Sequence, residues 1–171
     1  MRLFVGIKIT PNEDIRKVLA DTKRLGLRAV SAENLHINLK FLGEVDECRL
    51  EQIKQALDST IGFGGFEIEL NSVGAFPDKS FARVIWIGIK SDRIAQLASL
   101  VDKELEALGF NRELSYTPHI TLARVAKKTD GIDKLFCERG FGFQKVEKIV
   151  LVKSTLGQDG PVYEEIHAVS L

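Results

Sequence analysis

The chain has 171 residues, 24 Lys plus Arg against 24 Asp plus Glu, three His and two Cys. That length is enough to bury a core without covalent staples, and two cysteines, Cys48 and Cys137, with no CxxC, make neither a disulfide framework nor a metal cluster. Zero net charge provides no field for gripping a long polyanion. The opening "MRLFVGIKIT" is too short and too charged for a secretion signal, and no apolar run approaches the ~20 residues of a membrane span. These features point to a reducing, cytoplasmic setting.

In chain order, "LFVGIKI" predicts a first strand. "TPNE" then supplies a capping box, with Thr10 as N-cap, Pro11 in the first turn and Glu13 reaching back. Ile15, Val18, Leu19, Thr22 and Leu25 recur at helical spacing and Gly26 stops the helix. Residues 34–42 alternate as a strand that Gly43 breaks, and Leu50, Ile53 and Leu57 mark a second amphipathic helix. "FEIELNSV" and "ARVIWIGIK" read as two strands joined by a turn around Pro77, Asp78 and Lys79. Ile94, Leu97, Val101, Leu105 and Leu108 predict a third helix closed by Gly109.

The strand "YTPHITLARV" follows, then a polar loop from about Ala126 containing Gly131 and Gly140. "KVEKIVLVKS" and "VYEEIHAVSL" read as a closing pair of strands with "LGQDGP" as their turn. Helices and strands mix without strict alternation, which predicts an α+β fold of mainly antiparallel sheet. Two pseudo-two-fold-related lobes with helices outside and a central cleft, in one bilobal domain over 1–171, account for the one repeat in the chain.

That repeat is "LHINL" at 35–39 and "PHITL" at 118–122. Side chains alternate faces along a strand, so Leu35, Ile37 and Leu39 share one face while His36 and Asn38 share the other. Ile120 and Leu122 likewise turn inward, with His119 and Thr121 outward. A lone histidine in such a frame is usually a polar residue on a half-exposed strand, but two matched frames can bring both imidazoles to one cleft.

Near neutral pH two imidazoles supply one base and one acid. They fit in-line displacement at phosphorus, one taking a proton from the attacking hydroxyl and the other protonating the departing oxygen. Asn38 and Thr121 can donate hydrogen bonds to the nonbridging oxygens. Metal ligation is the weaker reading: no Asp, Glu or Cys ligand set stands at usual spacing, and His167, beside Glu164 and Glu165, reads as surface strand.

Phe41 and Arg124 each lie five residues after their histidine. A ring and a guanidinium on the two sides of a cleft can sandwich a nucleobase. Position i+5 falls on the opposite face of a regular strand, however, so a bulge or an early strand end is needed to turn them into the cleft.

"HINL" and "HITL" resemble the paired His-x-Thr-x signatures of the 2H phosphoesterase superfamily. The whole chain is similar to the RNA 2′,3′-cyclic phosphodiesterases, or 2′-5′ RNA ligases, through "MRLFVGI", "ENLHINLKFLGEV", "VGAFPDKSFARVIWIGI", "TPHITLAR" and "STLGQDGPVYEEI". The resemblance implies a bilobal fold with both histidines in a central groove. By it, His36 protonates the ribose O3′ leaving group and His119 activates water, without metal or cofactor. RNA ends bearing a 2′,3′-cyclic phosphate, tRNA fragments among them, are the implied substrates of a monomeric enzyme. The product is a 2′-phosphate end, and the related ligation, with a 5′-hydroxyl as partner, gives a 2′-5′ linkage. Phe41 and Arg124 match the family's base-flanking positions. Asn38 stands where the family usually has Thr, and the near-symmetric frames do not by themselves assign acid and base. Hydrolysis of a small cyclic phosphate and a noncatalytic RNA- or nucleotide-binding module are the competing readings.

Overall fold

The computed structural model describes residues 1–113, 115–158 and 160–171. Among these residues nine strands make one sheet: β1 (Arg2–Lys8), β2 (Arg28–Ala29), β3 (His36–Glu44), β4 (Phe66–Phe76), β5 (Val84–Lys90), β6 (His119–Arg124), β7 (Cys137–Val146), β8 (Lys148–Gly157) and β9 (Gly160–Ser170). Three helices, α1 (Glu13–Arg24), α2 (Leu50–Asp58) and α3 (Asp92–Glu106), complete the α+β fold. None is long and apolar enough to cross a membrane.

The strand order is β7-β4-β5-β6-β3-β1-β8-β9, with β2 beside β6, and all the pairings are antiparallel. Its midpoint is the β6–β3 junction. On one side β1-α1-β3 forms a unit flanked by β8 and β9; on the other, β5-α3-β6 forms the matching unit flanked by β4 and β7. Helices α1 and α3 pack across the midpoint, α1 on β2 and β6 and α3 on β3, while α2 lies against α3 and β9. One continuous hydrophobic core therefore runs beneath both halves, from Leu3 and Ile37 to Ile87, Leu97, Ile120 and Val169.

The amphipathic faces predicted for the helices are the buried ones: Ile15, Val18, Leu19 and Thr22 on α1, and Ile94, Leu97, Val101 and Leu105 on α3. The cap of α1 differs from the expected capping box. The N-cap is Asn12, whose Oδ1 accepts from Ile15 N at 3.0 Å while its Nδ2 donates to the Phe141 carbonyl at 2.7 Å. The amide serves both bonds at once, and the helix begins at Glu13, which leaves Thr10 two residues short of the cap position. Gly43 does not end β3; with φ of +71° it lies inside the strand, at a bulge where Leu3 pairs with Gly43 and Phe4 with Phe41.

The region expected as a polar loop from Ala126 holds a 3-10 turn, Ile132–Leu135, and then β7, with Gly140 inside the strand. β7 is an edge strand that buries only Phe141 and Val146, so it lacks the alternation that marks a strand in sequence. "KVEKIVLVKS" accordingly spans the end of β7 and most of β8. The turn expected at "LGQDGP" includes Asp159, which lies outside the described residues.

One polar cluster is built into the core. Lys40 on β3 is 2% exposed, and its Nζ donates to the Asp102 carboxylate on α3 and to the Asn111 carbonyl. Asp102 also accepts from Glu113 N at 3.1 Å, with Arg112 Nε 3.9 Å away. Two buried charges are tolerated only when paired and hydrogen-bonded. This pair ties the central strand to the segment that leads into β6. Asp102→Ala, which strands the Lys40 ammonium, is expected to cost about 3–5 kcal/mol in denaturant unfolding. Replacing both partners by apolar residues, Lys40→Met with Asp102→Leu, is expected to recover most of that loss; equal destabilisation by the single and double changes would contradict the account.

Candidate active site

The histidines are brought together by the middle of the sheet. β3 and β6 are antiparallel, with Ile37 opposite Ile120. Continuing that register sets His36 across from Thr121 and Asn38 across from His119. The four side chains occupy one face, with the imidazoles on a diagonal. The opposite face is sealed by Leu35, Ile37, Leu39, Ile120 and Leu122, all in the core.

Both rings are held in the same way. His36 Nδ1 lies 2.7 Å from the Asn34 carbonyl and His119 Nδ1 lies 2.7 Å from the Thr117 carbonyl, each two residues upstream. A carbonyl only accepts, so Nδ1 carries hydrogen in both rings and Nε2 is left to exchange a proton. Phe4 packs on His36 at 4.7 Å between centroids, and Tyr163 meets the same ring edge-on at 5.3 Å. Phe76 does the equivalent for His119 at 5.0 Å, itself backed by Trp86 at 5.2 Å.

The two strands also share an irregularity. Val5 pairs with Lys40 and Gly6 with Asn38, which leaves Leu39 without a partner on β1; Ile85 pairs with Ala123 and Trp86 with Thr121, which leaves Leu122 without one on β5. Leu39 and Lys40 are consecutively buried, as are Leu122 and Ala123. Alternation resumes one residue late, and Phe41 and Arg124 emerge on the histidine face, as an i+5 position there requires. Phe41 is 48% exposed and touches Phe4 at 5.8 Å. Arg2, not Arg124, lies over its ring, at 5.9 Å.

Gly6 is required at this junction. A Cβ there would come within 2.7 Å of the Ile37 carbonyl and 3.3 Å of the Phe4 ring. With no side chain at Gly6, the Phe4 ring lies over the strand against His36.

Burial lowers the pKa of His36, partly opposed by the Asn34 carbonyl bond and reinforced by His119. Burial also lowers that of His119, opposed by the Thr117 carbonyl bond and reinforced by Arg124. The Tyr163 hydroxyl is pushed up by burial and drawn partly back by Arg124 and Arg2. Arg124 thus acts on both His119 and Tyr163, and Arg2 on Tyr163.

A cavity of about 240 Å³ opens on the His119 side, walled by Asn38, Phe76, Tyr116 and Thr117 among others. Phe4, Tyr163, Phe76, Tyr116 and Arg2 carry no signal of this site in the sequence. Phe4, Tyr163, Phe76 and Arg2 come from other strands and Tyr116 from the stretch just before β6, and no spacing rule links them to it. His167, a plain surface-strand residue by sequence, is half-buried, with Nε2 2.7 Å from Asp58 Oδ1 at the end of α2, and lies outside the groove. Among the described residues no three His, Cys, Asp or Glu side chains gather as a cation's ligand set.

Residues 11–152 match the model of the 2′-5′ RNA ligase superfamily. A Methanocaldococcus jannaschii protein named RNA 2′,3′-cyclic phosphodiesterase is 40% identical, the alignment covering 97% of this chain and 98% of that protein. The Archaeoglobus fulgidus protein of the same name is 36% identical, again over 97% and 98%. Among solved structures, TT0787 of Thermus thermophilus has a TM-score of 0.83 at 27% identity, covering all of this chain and 98% of the other. Escherichia coli LigT complexed with 3′-AMP has a TM-score of 0.78 at 25% identity, over 99% and 97%.

Nitrogen-detected NMR of the imidazoles is expected to show the Nδ1–H tautomer for both His36 and His119, with titration midpoints below the ordinary value of about 6.5. Nε2–H tautomers, or midpoints above that value, would contradict the geometry.

Proposed function

Because the chain belongs to the 2′-5′ RNA ligase superfamily, we propose that it is a hydrolase that opens 2′,3′-cyclic phosphate ends of RNA to 2′-phosphomonoesters. The observation that carries this reading is the matched pair of imidazoles, each fixed through Nδ1 to the carbonyl two residues upstream, on adjacent antiparallel strands. Substrate binding or fold alone has no need of two equivalent proton-transfer groups set symmetrically about one point.

In this mechanism neutral His119 takes a proton from water through Nε2 as the water oxygen attacks phosphorus. Protonated His36 delivers its Nε2 proton to O3′ as the P–O3′ bond breaks. The ester to O2′ remains, so the phosphate ends on the 2′ oxygen. His36 as acid and His119 as base follow the family pattern, and the charges of Arg2 and Arg124, which reach Tyr163 and, for Arg124, His119, suit a groove that takes an anionic diester. Asn38 and Thr121 stand between the imidazoles and hold the nonbridging oxygens. The Asn38 amide is longer than the threonine usual in the family, and Gly6 opposite it leaves room for that length. Phe41 and Arg124, turned to this face by the two bulges, contact the terminal base.

One chain supplies both histidines, so the enzyme acts as a monomer. Its two cysteines are free, which suits the cytoplasm, where RNA fragments such as cleaved tRNA carry these ends.

The test is product analysis on a short RNA ending in a 2′,3′-cyclic phosphate, with EDTA present. The wild type is expected to give a 2′-phosphate end. His36→Ala and His119→Ala are each expected to lower kcat by about 10²–10⁴, the usual contribution of a positioned acid or base. A 3′-phosphate product, or full activity in either variant, would overturn the mechanism. No conversion by the wild type would shift the reading to a small cyclic phosphate.

A further inference from the structure

The two histidine frames match in register but differ in how each supporting carbonyl is held. The Thr117 carbonyl, which receives His119 Nδ1–H, belongs to the peptide bond that leads into Pro118. A proline ring fixes its own φ at about −65° and confines the residue before it to extended conformations. The chain itself therefore orients this carbonyl.

The His36 frame has no such ring. The Asn34 carbonyl leads into Leu35, which adopts φ of −66°, the value a proline would impose, with no ring to impose it. Asn34 is fixed by its other polar groups instead. Its backbone N–H donates to the Ser31 carbonyl at 3.0 Å, closing a 3-10 turn, Ala32–Asn34. Its side-chain Nδ2 donates to the Pro161 carbonyl on β9, also at 3.0 Å and 127 residues away in sequence.

That second bond is not part of the sheet. β9 stands three places from β3 in the strand order, beyond β1 and β8. Two residues after Pro161, Tyr163 meets the His36 ring edge-on at 5.3 Å and the Phe4 ring at 5.2 Å. One short segment of β9 thus grips the His36 frame twice, at the residue whose carbonyl holds Nδ1 and at the imidazole itself.

We propose that Asn34 is a positioning residue for the acid: its bond to Pro161 holds the carbonyl that receives His36 Nδ1–H, and with it the aim of Nε2 at the departing O3′. This step rests on the acid role of His36 proposed above. Asn34 exchanges no proton and acts only through the imidazole. Without the bond the Asn34 peptide is free to turn, the Nδ1–H tautomer loses its anchor, and fewer encounters deliver the proton from Nε2 to O3′ as the P–O3′ bond breaks. The base side needs no counterpart, because Pro118 does the same work within the chain.

The experiment compares the wild type with Asn34→Ala on two RNA ends, the ordinary 2′,3′-cyclic phosphate and one with sulfur in place of O3′. A thiolate departs without a proton, so the sulfur end bypasses the acid while it uses the same groove and the same base. On the oxygen end kcat is expected to fall by up to about tenfold, the worth of a single hydrogen bond, with KM unchanged. On the sulfur end the variant is expected to match the wild type. Asn34→Asp, which keeps the shape but offers the Pro161 carbonyl no donor, is expected to lose activity on the oxygen end as the alanine variant does. Nitrogen-detected NMR of Asn34→Ala is expected to show a rise in the Nε2–H tautomer of neutral His36 and none for His119. Equal losses on both ends, an unchanged kcat on the oxygen end, or the same tautomer outcome at both histidines would each overturn the positioning role. No hydrolysis of either end by the wild type would instead fail the hydrolase reading, and the tautomer comparison would still decide whether Asn34 holds His36.

Discussion

Ile37 on β3 and Ile120 on β6 meet at the centre of the sheet, and the geometry of the groove follows from that one antiparallel pairing. Each isoleucine is fully buried, so the face they occupy is not negotiable. Slipping either strand by one residue would send a histidine into the core and an isoleucine into the groove. The same pairing fixes the diagonal: antiparallel strands set each histidine across from the hydrogen-bonding residue of the other frame. The matched bulges after Leu39 and Leu122 then add a second constraint, re-aiming Phe41 and Arg124 without disturbing the core below. A regular strand could present a histidine or a side chain five residues on, but not both on one face.

The two halves are locked at this junction from behind. Helices α1 and α3 each cross to the opposite half, so the central pairing cannot open without unpacking α1 from β6 and α3 from β3. The Lys40–Asp102 pair adds a directional link. Asp102 and Lys40 together hold the backbone at Asn111 and Glu113, just upstream of Thr117, whose carbonyl fixes His119. A buried ion pair adds little to stability relative to apolar packing. Its contribution here is positional, since charged hydrogen bonds fix a backbone path that dispersion alone leaves loose.

The histidine frames are legible in the sequence because strand periodicity ties face to parity, and the residues between them, Leu35, Ile37, Ile120 and Leu122, are unambiguous core formers. The need for a bulge before Phe41 and Arg124 also follows from parity, though not which residue bulges. Leu39–Lys40 hides it: a lysine beside a leucine reads as ordinary alternation until Asp102, distant in sequence, is seen to bury it. Thr10 resembles the cap of α1 in sequence because the bond from Asn12 to Phe141 spans most of the chain and leaves no local trace. β7 is silent because an edge strand with two buried side chains has no pattern to read. Tyr116 and Tyr163 are invisible as site residues for a related reason: a sequence does not say which loop or hairpin folds over a groove.

Two-fold similarity and chemical asymmetry coexist in this groove. The imidazoles are held alike, yet Arg2 and Arg124 both act on Tyr163, which packs on His36, while only Arg124 reaches His119, beside a cavity lined by Glu113 and Tyr116. The most direct test of this account is the stereochemistry at phosphorus, read by hydrolysing a single diastereomer of a 2′,3′-cyclic phosphorothioate RNA end in isotopically labelled water. One in-line displacement between His36 and His119 predicts inversion; retention would mean two displacements through a covalent phosphohistidine and would contradict it.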